Sequence, residues 1–343
     1  MSKCLLVPTV LSYCDPNLES TESALVGWSK GPLSSNHKMF FSRRWTPHFL
    51  ISSLIIFWQP LSTLANYDDQ ACNNSPHLCS LSYGEITYLG THNSPFLRNK
   101  QTSFSTSGNQ YFNVTVQLDA GIRLLQGQLH QDPDGSEPRM CHSSCSLLDG
   151  GPLTEWLSQI QKWMESHPSE GMGYVLVSSS NMGISADNIC VVVTLLIVNS
   201  DNIPAKTLKT YFSNSKTADL AYVPPQGTKI RSFPTLQTMI KDNKRLVIFL
   251  TSSFDYTSAP YLLNEWDFIW ETQWQNTDPQ GWSCDLDRPT ALRNNTQKAE
   301  QEGIVPLLNW FLYQSIGLGI LQPDVDIVSK KFTPRFQFTP FIS

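Results

Sequence analysis

The chain has 343 residues, with 24 Lys and Arg against 29 Asp and Glu and a formal net charge of −5. No run of Lys or Arg is longer than two, so the chain has no electrostatic footprint for DNA or RNA, and a nucleic-acid partner is excluded. Apolar residues at 40% and aromatic residues at 11%, ten Trp among them, exclude disorder over most of the length.

In chain order, residues 1–38 read as an N-terminal extension foreign to the rest of the chain. From Met39 the segment MFFSRRWTPHFLISSLIIFWQPLSTLA has Arg43-Arg44, an apolar run from Phe49 to Trp58, and small residues at Ser62, Thr63 and Ala65. That is the order of a signal peptide, and the run is too short to cross a hydrocarbon layer of roughly 30 Å. The expectation is a signal peptide over 39–65, Met39 as the natural start, and export of the remainder. Eight Cys occur, with two close pairs, Cys72 and Cys79 in CNNSPHLC and Cys141 and Cys145 in CHSSC. Neither pair has the spacing of a metal site; in an oxidising compartment they read as disulfides, in a reducing one as buried thiols. Asn73, Asn113 and Asn294 stand in glycosylation sequons.

From Tyr83 strands and helices alternate. Glu85–Leu89 is a short predicted strand running into the polar loop Gly90-Thr91-His92-Asn93-Ser94. Val114–Ala120 is a predicted helix ending at Gly121, and Ile122–Leu129 a strand leading to His130. Pro152–Ser166 places Leu153, Trp156, Leu157, Ile160, Trp163 and Met164 at helical spacing. Gly171–Cys190 is Ser/Gly-rich and reads either as an insertion or as a surface loop, since connections in such units take about 2–6 residues. Val191–Val198 is a continuous apolar run of the kind found in strands covered on both faces. Thr235–Lys241 is a helix, Arg245–Leu250 a strand, Asp267–Thr272 a further strand and Leu307–Gln314 a further helix. The alternation predicts an α/β protein with a parallel sheet; a single (β/α)8 TIM-type barrel takes about 250 residues and carries its active site after the strand ends. The barrel is expected over 66–325 and the atypical tail over 326–343.

Without reference to any family, GTHNS and CHSSC each offer one histidine in a polar loop. Two facing imidazoles can serve as general base and general acid near neutral pH; a lone loop histidine more commonly makes an ordinary surface hydrogen bond.

The successive segments GTHNSPF, QLDAGIRLLQGQLH, CHSSC, LLDGGPLTEWLSQIQKWMESHP and VVVTLLIVNSDN resemble, in that order, the motifs of the X-region of phosphatidylinositol-specific phospholipases C, and especially a fungal secreted group of phospholipase C-like phosphodiesterases. FPTLQTMIKDNKRLVIFL, APYLLNEWDFIWET and DPQGWSCDLDRP are similar to that group's later elements. The resemblance covers about residues 68–325. It implies cleavage of a phosphodiester lipid or related small substrate at a membrane surface, with His92 taking the proton from the nucleophilic hydroxyl and His142 protonating the leaving alkoxide. It further implies phosphate-binding roles for Asn93, Gln126, Gln128 and Asn199.

The chain departs from its active relatives where they place charged residues, because Gln126 and Gln128 are neutral. Asn93, Gln126 and Gln128 would make only a weak Ca²⁺ site, since affinity falls with ligand charge. His130 shares the strand alternation of Gln126 and Gln128 and would supply positive charge when protonated. Arg123 falls out of that alternation and reads as a structural ion pair. Asp201 and Asp255 follow strand ends and would at most orient a histidine; Trp270 and Trp274 read as core or as a substrate rim. The segment after GILQPDVDIVS lacks the closing strand the resemblance implies, so an incomplete barrel is expected and Cys284 is left without a partner. The competing function is a secreted binding protein that keeps the histidines but has lost the charged half of the site. A glycosidase on the same fold lacks a clear carboxylate pair.

Overall fold

The computed structural model describes residues 5–7, 11–13, 71–132, 134–167, 189–279, 281–317 and 320–324. The extension beyond its short hairpin, the predicted signal peptide, most of 171–190 and the tail lie outside the described residues. After the hairpin of β1 (Leu5–Val7) and β2 (Leu11–Tyr13), a two-residue strand β3 (Ala71–Cys72) pairs with β8 (Ile189–Cys190).

The centre is an arc of five parallel strands. In spatial order these are β4 (Gly90–Thr91), β5 (Leu124–His130), β9 (Val193–Asn199), β10 (Leu246–Leu250) and β11 (Leu262–Asn264). The apolar run predicted as a doubly covered strand is β9, whose residues are almost all buried. Alternation along the strands splits the core in two. Leu125, Leu129, Leu195, Ile197, Ile248 and Leu250 pack on the outer side against helices α1 (Val114–Asp119), α2 (Leu153–Ser166) and α3 (Ala205–Asn214). Leu124, Leu196, Val247, Phe249 and Leu263 pack on the inner side. Helix α2 buries the predicted stripe from Leu153 to Met164, and at about 25 cal/mol per Å² such a stripe anchors it to the sheet. A short helix α4 (Thr217–Leu220) follows α3. Helix α1 begins where the Asn113 side chain accepts from Val116 N, and α5 (Leu236–Lys241) where Thr235 accepts from Thr238 N.

A second sheet holds β12 (Ile269–Thr272) between antiparallel β13 (Leu286–Arg288) and parallel β14 (Val305–Leu307), with helix α6 (Thr296–Glu302) before β14. Ile269, Val305 and Leu307 join the same inner cluster as β5, β9 and β10, so the two sheets face one interior. Strand hydrogen bonding does not close into a ring among the described residues, because β11 does not pair with β12 and β14 does not return to β4. The architecture is therefore a mixed α/β fold, and the missing closure agrees with the incomplete barrel expected from the sequence. Its strands at the gaps are only two to four residues long, and β11 turns at once into the 3-10 segment Glu265–Asp267.

Two expectations fail. Glu85–Leu89 is not a strand: Tyr83–Glu85 forms a 3-10 turn with a capping box at Ser82, Tyr88 makes a single β-bridge, and the strand itself is Gly90–Thr91. Leu307–Gln314 is not a helix: it ends β14, bends, and starts β15 (Tyr313–Ser315), paired with β16 (Leu321–Pro323). Its apolar residues are spaced for burial in a turn, which periodicity reads as one helical face.

The edge of β5 positions the site. Strand β4 pairs with β5 at Leu124-Leu125, while β6 (Arg139–Cys141) pairs antiparallel at Leu129-His130. Two chain segments thus share one edge, and the loop after β4 meets the hairpin of β6 and β7 (Asp149–Pro152) between them. They meet over Gly127, where a Cβ would lie 2.6 Å from Met140 Cε and 3.2 Å from Pro95 Cδ. A larger residue would have to push the end of Met140 aside and shift Pro95 by a few tenths of an ångström, so glycine suits the crossing.

Candidate active site

His92 and His142 line one cavity of about 360 Å³, together with Gln126, Gln128, Glu271, Trp274, Arg288, Phe311 and Tyr313 among others. A larger cavity of about 670 Å³, lined by Tyr256, Trp266, Lys229 and Glu302 among others, holds neither histidine.

The His92 loop is tied down from three sides. Gln117 of α1 accepts from the hydroxyls of Thr91 and Ser94, both at 2.7 Å, and donates to Ser94 O. Gln110 Nε2 donates to His92 O at 2.7 Å. The His92 ring stacks on Phe311, with centroids 3.5 Å apart and planes at 7°. Asn93 Nδ2 donates to His92 Nε2 at 2.9 Å, and Tyr313 Oη lies 3.1 Å from the same nitrogen. The amide orientation follows from its other partners, since Nδ2 also donates to Asn109 Oδ1 and Oδ1 accepts from Gln128 Nε2. Nε2 therefore presents its lone pair, and the neutral ring carries its proton on Nδ1.

His142 sits in the β6–β7 hairpin, directly after Cys141, whose disulfide to Cys145 closes a five-residue loop. Its ring leans on Phe96 at 5.3 Å, and its Nδ1 is buried without a partner. The two loops are joined by Gln128, which donates to Asn93 Oδ1 at 3.2 Å and accepts from Ser143 N at 2.9 Å. Gln126 Oε1 accepts from Asn93 N at 2.7 Å. The neutral Gln128 is thus a bridge between the two histidine loops, and Gln126 anchors the His92 loop to β5.

Both imidazoles are held neutral. Burial, then the His142 ring, then Arg288 push His92 well below the usual histidine range, with a hydrogen bond to Gln126 opposing. Burial, then His130, push His142 down to about 4.

The family model described as PI-PLC X 1 matches residues 78–188 and 184–333. The chain belongs to the PI-PLC X family. A "PI-PLC X domain-containing protein 1" of Arthroderma benhamiae is 34% identical over 81% of this chain and 80% of its own length. An "Uncharacterized secreted protein" of the same organism is 32% identical over 76% of this chain and 52% of its own length. The solved phosphatidylinositol-specific phospholipase C of Listeria monocytogenes is 12% identical, with a TM-score of 0.42 over 67% of this chain and 74% of that chain.

Against the PI-PLC X resemblance, some expected residues fall elsewhere. Asn199 is not at the cavity: it donates to Ile203 O and Ser252 O and accepts from Ile203 N, stapling the loop after β9. Its strand neighbours Leu196 and Val198 line the cavity, and alternation turns Asn199 away. Asn93 is fully buried behind His92 rather than on the wall. His130 is also off the lining, with Nδ1 3.3 Å from Asp201, so the histidine beside Asp201 is neither of the two at the cavity. Asp255 is fully occupied in a local turn with Thr257 and Ser258. Arg123 does point away, but donates to Leu118 O and Ile122 O and lies over Trp163 rather than pairing with a carboxylate.

Calcium does not fit these residues. The side-chain oxygens of Asn93, Gln126 and Gln128 each accept a protein N–H, and the cavity's carboxylate, Glu271, is ion-paired with Arg288. A hard cation needs several uncommitted oxygens, preferably charged.

The pairs Cys72–Cys79 and Cys141–Cys145 are disulfides, and Cys284, which the sequence leaves unpartnered, is also disulfide-bonded. Residues that sequence reasoning missed are Glu271, Arg288, Phe311 and Tyr313. The first two stand on short strands, β12 and β13; Trp274, counted as core or rim, lines the cavity, whereas Trp270 is core. A search for charged residues at the ends of the last strands would have found Arg288 and Glu271; Phe311 and Tyr313 were hidden by the mistaken helix.

Proposed function

We propose that the protein is an exported phosphoric diester hydrolase of phospholipase C type, acting on a phosphoinositide, a glycosylphosphatidylinositol or a related phosphodiester lipid at a membrane surface. The observation that carries this reading is that His92 and His142, fifty residues apart in sequence, open into one cavity. Membership of the PI-PLC X family supports the chemistry. Disulfides and the name of one relative, an uncharacterized secreted protein, support the compartment. The shared inner cluster supports the further reading that the two sheets are parts of one (β/α)8-type barrel.

In this mechanism a substrate hydroxyl, the inositol 2-OH in a phosphoinositide, takes the His92 Nε2 lone pair in place of both Tyr313 Oη and the Asn93 amide. Its oxygen bonds to phosphorus as its proton passes to Nε2. The phosphorus bond to the lipid alkoxide breaks, and His142 delivers a proton to that oxygen. Burial holds His92 neutral with the Nε2 lone pair turned to the cavity partners, which suits it to the base, and leaves His142 for the acid. His142 must be charged to act, and an anionic phosphate in the cavity raises its pKa toward that state.

The test is release of cyclic inositol phosphate from phosphatidylinositol vesicles, with Ca²⁺ and with chelator. Turnover insensitive to chelator is expected. Absence of turnover by folded protein on phosphoinositide and glycosylphosphatidylinositol substrates alike would leave the binding-protein reading, which the wholly neutral resting histidines favour.

A further inference from the structure

Cleavage of a phosphodiester places negative charge on the non-bridging oxygens, and a site lacking a cation there loses most of its electrostatic stabilisation. The glutamines of β5 supply none. The cavity nevertheless contains a guanidinium from the opposite sheet, on the last residue of β13.

We propose that Arg288 is the phosphate-binding residue of this cavity, with Glu271 as the residue that positions it. This deepens the hydrolase reading and rests on it for the identity of the substrate, though not for the binding itself. Arg288 Nη2 donates to Glu271 Oε2, which also accepts from Asn309 Nδ2 at 3.1 Å. The guanidinium carbon lies 5.8 Å from the ring centroids of both Trp266 and Trp274. These contacts fix the fork while using one of its nitrogens. Nε and Nη1 have no hydrogen-bond partner among the described residues, and Nε is buried. A planar fork with unused donors, set beside aromatic faces, is suited to two phosphate oxygens at once.

The carboxyl of Glu265 adds no second negative charge against the cation. Glu265 is fully buried with no cation of its own, and stands next to Glu271. Burial, then Glu271, hold the Glu265 carboxyl protonated, so Glu271 is the one carboxylate that Arg288 faces. Arg288 lines the same cavity as His92 and His142, so a phosphate it holds shares that cavity with the histidine that would take the hydroxyl proton.

The experiment is calorimetric titration of the full chain, disulfides intact, with inorganic phosphate at pH 7.5. Phosphate binding is expected in the wild type, weakened at least tenfold in Arg288→Gln and in Arg288→Lys, and changed less than threefold in His92→Gln. Glu271→Gln should raise KM more than it lowers kcat if Glu271 positions the fork, where a purely structural role would lower the folded fraction without moving KM. Should Arg288→Gln not fold, the wild type serves: phosphate should slow phenylglyoxal modification of Arg288 several-fold, read by peptide mass spectrometry, and leave the exposed Arg293 unaffected. Wild-type affinity in folded Arg288→Gln, no phosphate binding by the wild type, or no protection of Arg288 would each overturn the proposal. Phosphate binding without turnover on any diester would sink the hydrolase reading while leaving Arg288 as an anion site.

Discussion

His92 and His142 are both driven toward neutrality by burial, and this sets how the site would respond to pH. In the free protein His142 holds a proton only near pH 4 and below, so the protonated acid becomes scarcer by up to tenfold per pH unit above that. kcat/KM is therefore expected to fall as pH rises from about 5 to 8, and kcat, which reports the complex with its bound anion, to fall at higher pH than kcat/KM. Rate profiles measure this, and a kcat/KM that rises across the interval contradicts it. Glu265 gives a second residue-scale expectation. Burial, then Glu271, hold its carboxyl protonated, so Glu265→Gln preserves shape and charge and should change unfolding free energy by less than about 1 kcal/mol. A loss above about 3 kcal/mol in denaturant melts would mean an ionised, paired Glu265.

The histidines were legible as residues because each stands in a short polar loop with an ordered motif around it. Arg288 and Glu271 were not, because their three- and four-residue strands are too short for alternation to register. Asn199 was misplaced because a match to a motif position ignores strand parity.

At the scale of elements, the hairpin from Arg139 to Pro152 holds His142 by a disulfide on one side and Gln128 on the other. Reduction, or a Cys141→Ser/Cys145→Ser double variant, should lower kcat/KM by about a hundredfold, the usual cost of a displacement near 1 Å, with little change in far-ultraviolet circular dichroism. Unchanged activity would show that Gln128 suffices. The long elements, α2 and β9, were readable because a helical stripe and a doubly buried strand each leave an unmistakable pattern. The 3-10 turn at Tyr83–Glu85 and the bend through Phe311 were not, since both are made by tertiary contacts, Ser82 with Arg231 and Phe233 in one case and Phe311 with His92 in the other.

At the scale of the molecule, stability should follow the same titrations. A histidine whose folded pKa lies below its unfolded value takes up a proton preferentially on unfolding, so stability is full above pH 6.5 and is lost as pH falls through the window toward the folded value. For His142 that window runs from 6.5 to about 4, and the stability difference between wild type and His142→Gln should change by up to about 1.4 kcal/mol per pH unit across it. Glu265 acts in the opposite sense, its raised pKa removing stability as pH rises above the ordinary carboxylate range. The α/β class was legible as alternation, whereas the division of the strands into two hydrogen-bonded sheets was not, because it depends on which strand edges find partners.

The central claim is that His92 and His142 act on one phosphate as a base and acid pair. The most direct measurement is the rate of cyclic inositol phosphate release by wild type, His92→Gln, His142→Gln and the double variant under identical conditions. Groups that work as a unit are not additive, so each single variant should lose at least about a thousandfold and the double variant should be no slower than the worse single. Either histidine proving dispensable, or the two losses multiplying in full, would contradict the account.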